Sequence, residues 1–94
     1  MDIHVLEVFC KIVESGSFSK AADAVYLTQP TVSGHIKKLE EEVGVRLLDR
    51  LGHRATPTKA GELLYRYARR ILVVRQEAQQ ARSEERRVGK ECRL

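Results

Sequence analysis

The sequence predicts an all-α fold with a small β-wing: a winged helix-turn-helix followed by a long linker and dimerisation helix. Three observations carry this. Residues 20–26 and 28–43 read as a short and a longer helix with a tight turn between them. Residues 45–57 lose helical periodicity around Gly52, which suits a hairpin. Ala60, Leu64, Tyr67, Ile71, Val74, Ala78 and Ala81 then recur at alternating spacings of four and three, the pattern of a coiled-coil seam.

Each element follows from local chemistry. Asp2 can cap a first helix over 2–15, whose apolar stripe is Leu6, Phe9, Cys10 and Val13. Gly16 is its natural stop. Ser19 can cap the second helix, which carries Ala21, Ala22, Ala24 and Val25. Thr28 can cap the third, and Pro30 is tolerated in its first turn because the N–H groups there lack intrahelical partners. Val32, Ile36, Leu39 and Val43 form its buried face, and Gly44 ends it. The wing is read as 45–49 and 54–57 flanking Arg50-Leu51-Gly52-His53. Thr58 can cap the fourth helix, which runs to about Arg82, with the stripe near Ala60 and Leu64 folding back on the first helix. The chain thus divides into a unit over 1–58, a linker and dimerisation helix over 59–82, and a tail over 83–94 expected to lack order.

Composition bounds the function. With 94 residues the chain is one small domain, too short to enclose a deep catalytic cleft between lobes. Its 43% hydrophobic and 32% charged residues fit a folded helical protein. No apolar run reaches the ~20 residues of a membrane span, and no basic segment followed by an apolar one marks a secretory signal. Two cysteines without a Cys-x-x-Cys support neither a disulfide framework nor a zinc finger, and fit a reducing cytoplasm. Net charge is +4, but residues 1–58 hold seven basic against eight acidic side chains, and the excess lies beyond residue 58. Local arrangement, not bulk charge, must carry any nucleic-acid reading.

That arrangement lies on the third helix and the wing. The face opposite the buried stripe presents Pro30, Thr31, Gly34, Lys37 and Lys38, with Ser33 and His35 on its flanks. The helix start offers free N–H groups suited to phosphate. Gln29 has the chemistry to read adenine, and Lys37 and Lys38 to meet phosphate. Arg50, His53 and Arg54 place three basic groups at the wing. By contrast His4, His35 and His53 lack metal-ligand spacing, no nucleophile sits beside a base, and Glu40-Glu41-Glu42 reads as a solvated helix end. Neither metal, cofactor nor catalytic residue is expected.

These residues closely resemble the DNA-binding domain of the LysR-type transcriptional regulators. The resemblance rests on Phe9, Val13-Glu14, Gly16-Ser17-Phe18-Ser19-Lys20-Ala21-Ala22, Leu27-Thr28-Gln29-Pro30-Thr31-Val32-Ser33, Ile36, Leu39-Glu40, Gly44, Leu47-Leu48-Asp49-Arg50 and Thr58 with Gly61. It implies a transcription regulator that binds double-stranded promoter DNA. The third helix would enter the major groove and the wing would lie on the adjacent backbone or minor groove. It implies a long linker helix that pairs with its mate, and the seam places Leu64, Tyr67, Ile71, Val74 and Ala78 in that homodimer contact. Gln29, Pro30 and Ser33 match positions that approach bases and phosphates, Arg50 matches the wing arginine, and Thr31 and Lys37 share their face. The sequence departs at Gly34, where a long polar side chain is common, which turns attention to His35. It departs again at His53, where an arginine is common, leaving Arg54 more of the wing's charge. Residues 83–94 do not resemble the stretch that leads into the family's ligand-sensing domain, and no effector site is expected in this chain. The rival class is a winged-helix protein-interaction module that never meets DNA.

Overall fold

The computed structural model describes the backbone at residues 1–52 and 54–88, and side chains at 1–52 and 54–82. The order of elements is α1 (Ile3–Ser15), α2 (Phe18–Ala24), α3 (Gln29–Val43), β1 (Leu48–Leu51), β2 (Arg54–Pro57) and α4 (Lys59–Val88). The predicted class is the one observed.

Asp2 caps α1 by accepting from the His4 N–H at 2.9 Å. The helix buries Val8 and Ile12 as well as Leu6, Phe9 and Cys10, so its apolar face is wider than the expected stripe. The reason is that α1 is central. Val8, Phe9 and Ile12 join α2, α3 and the wing in one cluster, while Leu6 and Cys10 meet Ala68 of α4 in another.

The second helix starts earlier than predicted. Ser17, not Ser19, is the cap, accepting from Lys20 N at 3.1 Å. The shift is explained by Phe18, which becomes the first helical residue and is buried in the core. A start at Ser19 would leave this ring on an unanchored link. The turn into α3 passes through Tyr26 at φ 60°, a left-handed conformation costly for a bulky side chain. Thr28 caps α3, its Oγ1 accepting from Thr31 N at 3.3 Å. Val32, Ile36 and Leu39 are buried as expected, and the helix ends at Gly44.

Between α3 and the wing, Glu40 does something its sequence context concealed. Its Oε2 accepts from Leu47 N at 2.8 Å and from Leu48 N at 3.2 Å. One carboxylate oxygen thereby fixes the two amides that carry Leu47 and Leu48 into the core, a correction to the expected solvated helix end for this residue. Glu40→Ala leaves both donors unpaired, and we expect it to lower the unfolding free energy by about 2 kcal/mol. Glu41→Ala, on an exposed side chain, should stay within about 0.5 kcal/mol. Urea melts of the two variants check this.

The hairpin is tighter than predicted. Arg50 and Leu51 lie in β1 rather than in the turn, and Leu51 pairs with Arg54, so only positions 52 and 53 connect the strands. Gly52 at φ 64° supplies the backbone that so short a connection requires. Pleating sends Leu48 and Arg50 to one face together with their partners Pro57 and Ala55. Leu48 and Ala55 are buried there, and Ala55 N donates to Gly16 O at 3.0 Å, pinning the wing to the α1–α2 link.

The start of α4 is locked against the strand entry. Thr58 N donates to Leu47 O at 3.0 Å, Thr58 Oγ1 to Arg46 O at 2.7 Å, and Gly61 N to Thr58 Oγ1 at 3.0 Å. The helix then crosses α1 and continues, giving the molecule a long axis of 56 Å. It runs to Val88, past the expected end near Arg82 and into the segment read as an unordered tail. No glycine or proline occurs between Gly61 and Gly89, and Glu and Arg are good helix formers. Loss of the apolar seam therefore does not end the helix. The rest of that tail, 89–94, lies outside the described residues.

Candidate nucleic-acid interface

The first residues of α3, the start of α2 and the inner face of the wing surround an open cleft of about 340 Å³. It is lined by Ser17, Phe18, Ser19, Gln29, Arg50 and Arg54, among others. Gln29 is the first residue of α3 and reaches the cleft from the helix end, where N–H groups are free. Ser33 stands one turn on, and Lys37 one turn further along the same side.

Arg50 joins these elements. Its position on the same hairpin face as Leu48 carries its side chain, though still exposed, toward α2 and α3. The guanidinium lies 3.8 Å from the centroid of the Phe18 ring, and Nη2 donates to Ser33 Oγ at 3.0 Å. A wing strand, the second helix and the third helix thus meet in one three-residue contact. Sequence reasoning singled out Arg50 and Ser33 but not Phe18, whose only signal was an aromatic beside the link serines.

The other expected residues fall in different places. Pro30, Thr31 and Lys37 are exposed on α3, and the Thr31 hydroxyl shares a 2.8 Å hydrogen bond with that of Thr28. Arg54 is exposed on β2 and lines the cleft. His35 is not in the cleft. It sits on the opposite flank of α3, its ring edge-on to His4 of α1 with centroids 5.9 Å apart and Nδ1 buried without a hydrogen-bond partner. His35 is two residues beyond Ser33, and two residues turn a helix by about 200°. His53 lies outside the described residues.

The apolar surface of α4 is split between two neighbours. Leu64, Ala68 and Leu72 pack against Leu6 and Cys10 of α1, so Leu64 belongs to this internal contact rather than to an outward seam. Beside it runs an uncovered apolar row: Leu63 is 48% exposed, Tyr67 52%, Ile71 40% and Val74 61%. Ala78 continues it, also exposed. Of the expected seam residues, Tyr67, Ile71, Val74 and Ala78 lie on this exposed row, which begins at Leu63, whereas Leu64 packs on α1.

The Cys10 thiol is pushed up to about 11, chiefly by burial and then by Glu14. Burial and a 2.9 Å hydrogen bond to Glu14 hold the Tyr65 hydroxyl above its ordinary value. Among the described residues, no three His, Cys, Asp or Glu side chains are grouped to hold a metal ion, and no helix is long and apolar enough to cross a membrane.

Comparison with known proteins agrees with this architecture. Residues 3–62 match the family model described as bacterial regulatory helix-turn-helix protein, lysR family. An uncharacterised helix-turn-helix transcriptional regulator of Azotobacter vinelandii is 44% identical over 81 residues, which is 86% of this chain and 56% of the relative. A probable RuBisCO transcriptional regulator of Chlorokybus atmophyticus is 51% identical over 63 residues, 67% of this chain and 20% of the relative. The chain therefore spans about half the length of the first and a fifth of the second. Among solved structures, the DNA-binding domain of BenM in complex with benA site 1 DNA superposes with a TM-score of 0.82 at 36% identity, covering 90% of this chain and 100% of that one. The DNA-binding domain of CbnR in its DNA complex gives 0.80 at 29% identity, covering 89% and 98%. With its helix-turn-helix, its hairpin wing and a family match over residues 3–62, the chain belongs to the LysR family of bacterial regulatory helix-turn-helix proteins.

Proposed function

We propose that this chain is a sequence-specific reader of double-stranded promoter DNA that acts as a homodimer. The observation that carries the reading is the cleft where Gln29 at the tip of α3 faces Arg50 and Arg54 of the wing. A helix of this kind enters the major groove N-terminus first, and the wing then falls on the adjacent backbone or minor groove. Gln29 offers one donor and one acceptor, matching N6 and N7 of adenine. Pro30 and Thr31 face the groove wall beside it. Ser33, Lys37, Arg50 and Arg54 meet phosphates. The DNA complexes of the structurally similar BenM and CbnR domains support this assignment.

The uncovered row Leu63, Tyr67, Ile71, Val74 and Ala78 supports pairing with a second copy. A continuous apolar strip on a small domain marks an interaction surface, and a seam with this spacing suits another helix of the same kind. Two copies present two α3 helices to two half-sites. The protein works in the cytoplasm, where the DNA it reads is held, and it has no catalytic activity.

Binding should fall steeply with salt, because lysines and arginines on phosphates release counterions. Fluorescence anisotropy with a duplex selected from a random library, at about 50 and 200 mM salt, is the test. With three basic phosphate contacts per chain and six per dimer, we expect the affinity to drop about a thousandfold. An affinity independent of salt would favour a protein-interaction module.

A further inference from the structure

We infer that Phe18, Arg50 and Ser33 form one coupled unit in which Phe18 is a positioning residue that aims the Arg50–Ser33 pair at a DNA phosphate. The inference rests on the DNA-binding reading above and deepens it. It departs from the view of Arg50 and Ser33 as independent polar contacts.

The chemistry follows from the two contacts. The Phe18 ring is buried and rigid, held as the first residue of α2 by the Ser17 cap. The Arg50 guanidinium lies against its face at 3.8 Å, which fixes the plane of the fork. One N–H of Nη2 is spent on Ser33 Oγ at 3.0 Å. A guanidinium has five N–H donors, so the others remain for an acceptor outside the chain.

Ser33 is changed as well. Its oxygen already accepts from a cation, so its own O–H is free to donate. The pair is therefore rich in donors: the free edge of the guanidinium, which can only donate, and one hydroxyl beside it that keeps a single lone pair. Such an array fits a group made solely of acceptors, and the phosphodiester oxygens beside the groove are that group. It fits poorly to base edges that also offer donors. Specificity then falls to Gln29, and the unit sets the register in which Gln29 reads.

Lysine in place of Arg50 keeps the charge but loses both the planar fork and the stack. Leucine in place of Phe18 keeps apolar volume and loses the ring face. We expect Arg50→Lys to weaken binding to the selected duplex about tenfold with an unchanged salt slope, since the charge is retained. Phe18→Leu should weaken wild-type binding by a similar factor and have little further effect when combined with Arg50→Ala, because nothing is left to position. Ser33→Ala with Arg50→Ala should cost no more than about the larger of the two single losses. A purely structural role for Phe18 would lower affinity equally in both backgrounds. In the free protein, the Arg50 side-chain protons should show ring-current shifts that vanish in Phe18→Leu. Equal losses from Phe18→Leu with and without Arg50, or wild-type binding by Arg50→Lys, overturn the coupling. A wild-type chain that binds no duplex overturns the DNA-binding reading itself, and is seen before any variant is made.

Discussion

Gly61→Ala is expected to be strongly destabilising, by roughly 3–5 kcal/mol. A Cβ at this position overlaps the carbonyl oxygen of Leu47 and crowds the Pro57 side chain. The obstacle is backbone, so no rotamer change relieves it. The start of α4 must lift, and with it go the Thr58 bonds to Leu47 O and Arg46 O. Two hydrogen bonds at about 1 kcal/mol each and about 1–3 kcal/mol of overpacking amount to roughly 3–5 kcal/mol. Small domains are stable by about 5–15 kcal/mol in all. Gly34 is the control. It lies inside α3 with nothing within 4 Å of a Cβ. Gly34→Ala should gain up to about 1 kcal/mol from helix propensity. Thermal melts should move in opposite directions for these two substitutions of the same type.

Ile71→Asp should convert a dimer into a folded monomer. Ile71 is central in the row Leu63, Tyr67, Ile71 and Val74, and it makes no part of the α1–α4 contact. Two-fold pairing puts the same patch on both chains, so the substitution introduces two carboxylates into one apolar seam. Burying each unpaired charge costs several kcal/mol, enough to raise the dimer dissociation constant about a thousandfold or more. Sedimentation should show a monomer at tens of micromolar, while circular dichroism stays helical. Affinity for a two-half-site duplex should drop by about 10²–10⁴ as the second site loses its tethered partner. Leu64→Asp, one residue outside the row and packed on α1, should instead reduce the melting temperature.

The contrast between residues 63 and 64 shows what was legible in the sequence and what was not. A helical stripe announces that some face is apolar, but α4 has two such faces side by side. Only the docking of α1 decides which is covered. Likewise the core of α3 and both helix-ending glycines were readable, because periodicity and backbone conformation are local properties. The cap of α2 was misplaced by two residues because two serines flank Phe18, and only burial of the ring selects between them. Glu40 was read as solvated because its partners are seven and eight residues away, across a turn whose path no local pattern specifies. The candidate site followed the same rule. Gln29, Ser33, Arg50 and Arg54 could be chosen as candidates from chemistry and position alone. That Arg50 would meet Ser33, and that His35 would turn toward His4, depended on how the wing and α1 pack on α3.

If the tip of α3 reads bases, Gln29→Ala is the substitution that exposes it. Gln29 is exposed and takes no part in the core, so its removal leaves the fold intact. Binding to the selected duplex and to a random duplex should be measured at one salt concentration, beside a melting curve. The expected result is a loss of about 1–3 kcal/mol on the selected duplex, little change on the random one, and an unaltered melt. Equal loss on both duplexes would contradict it.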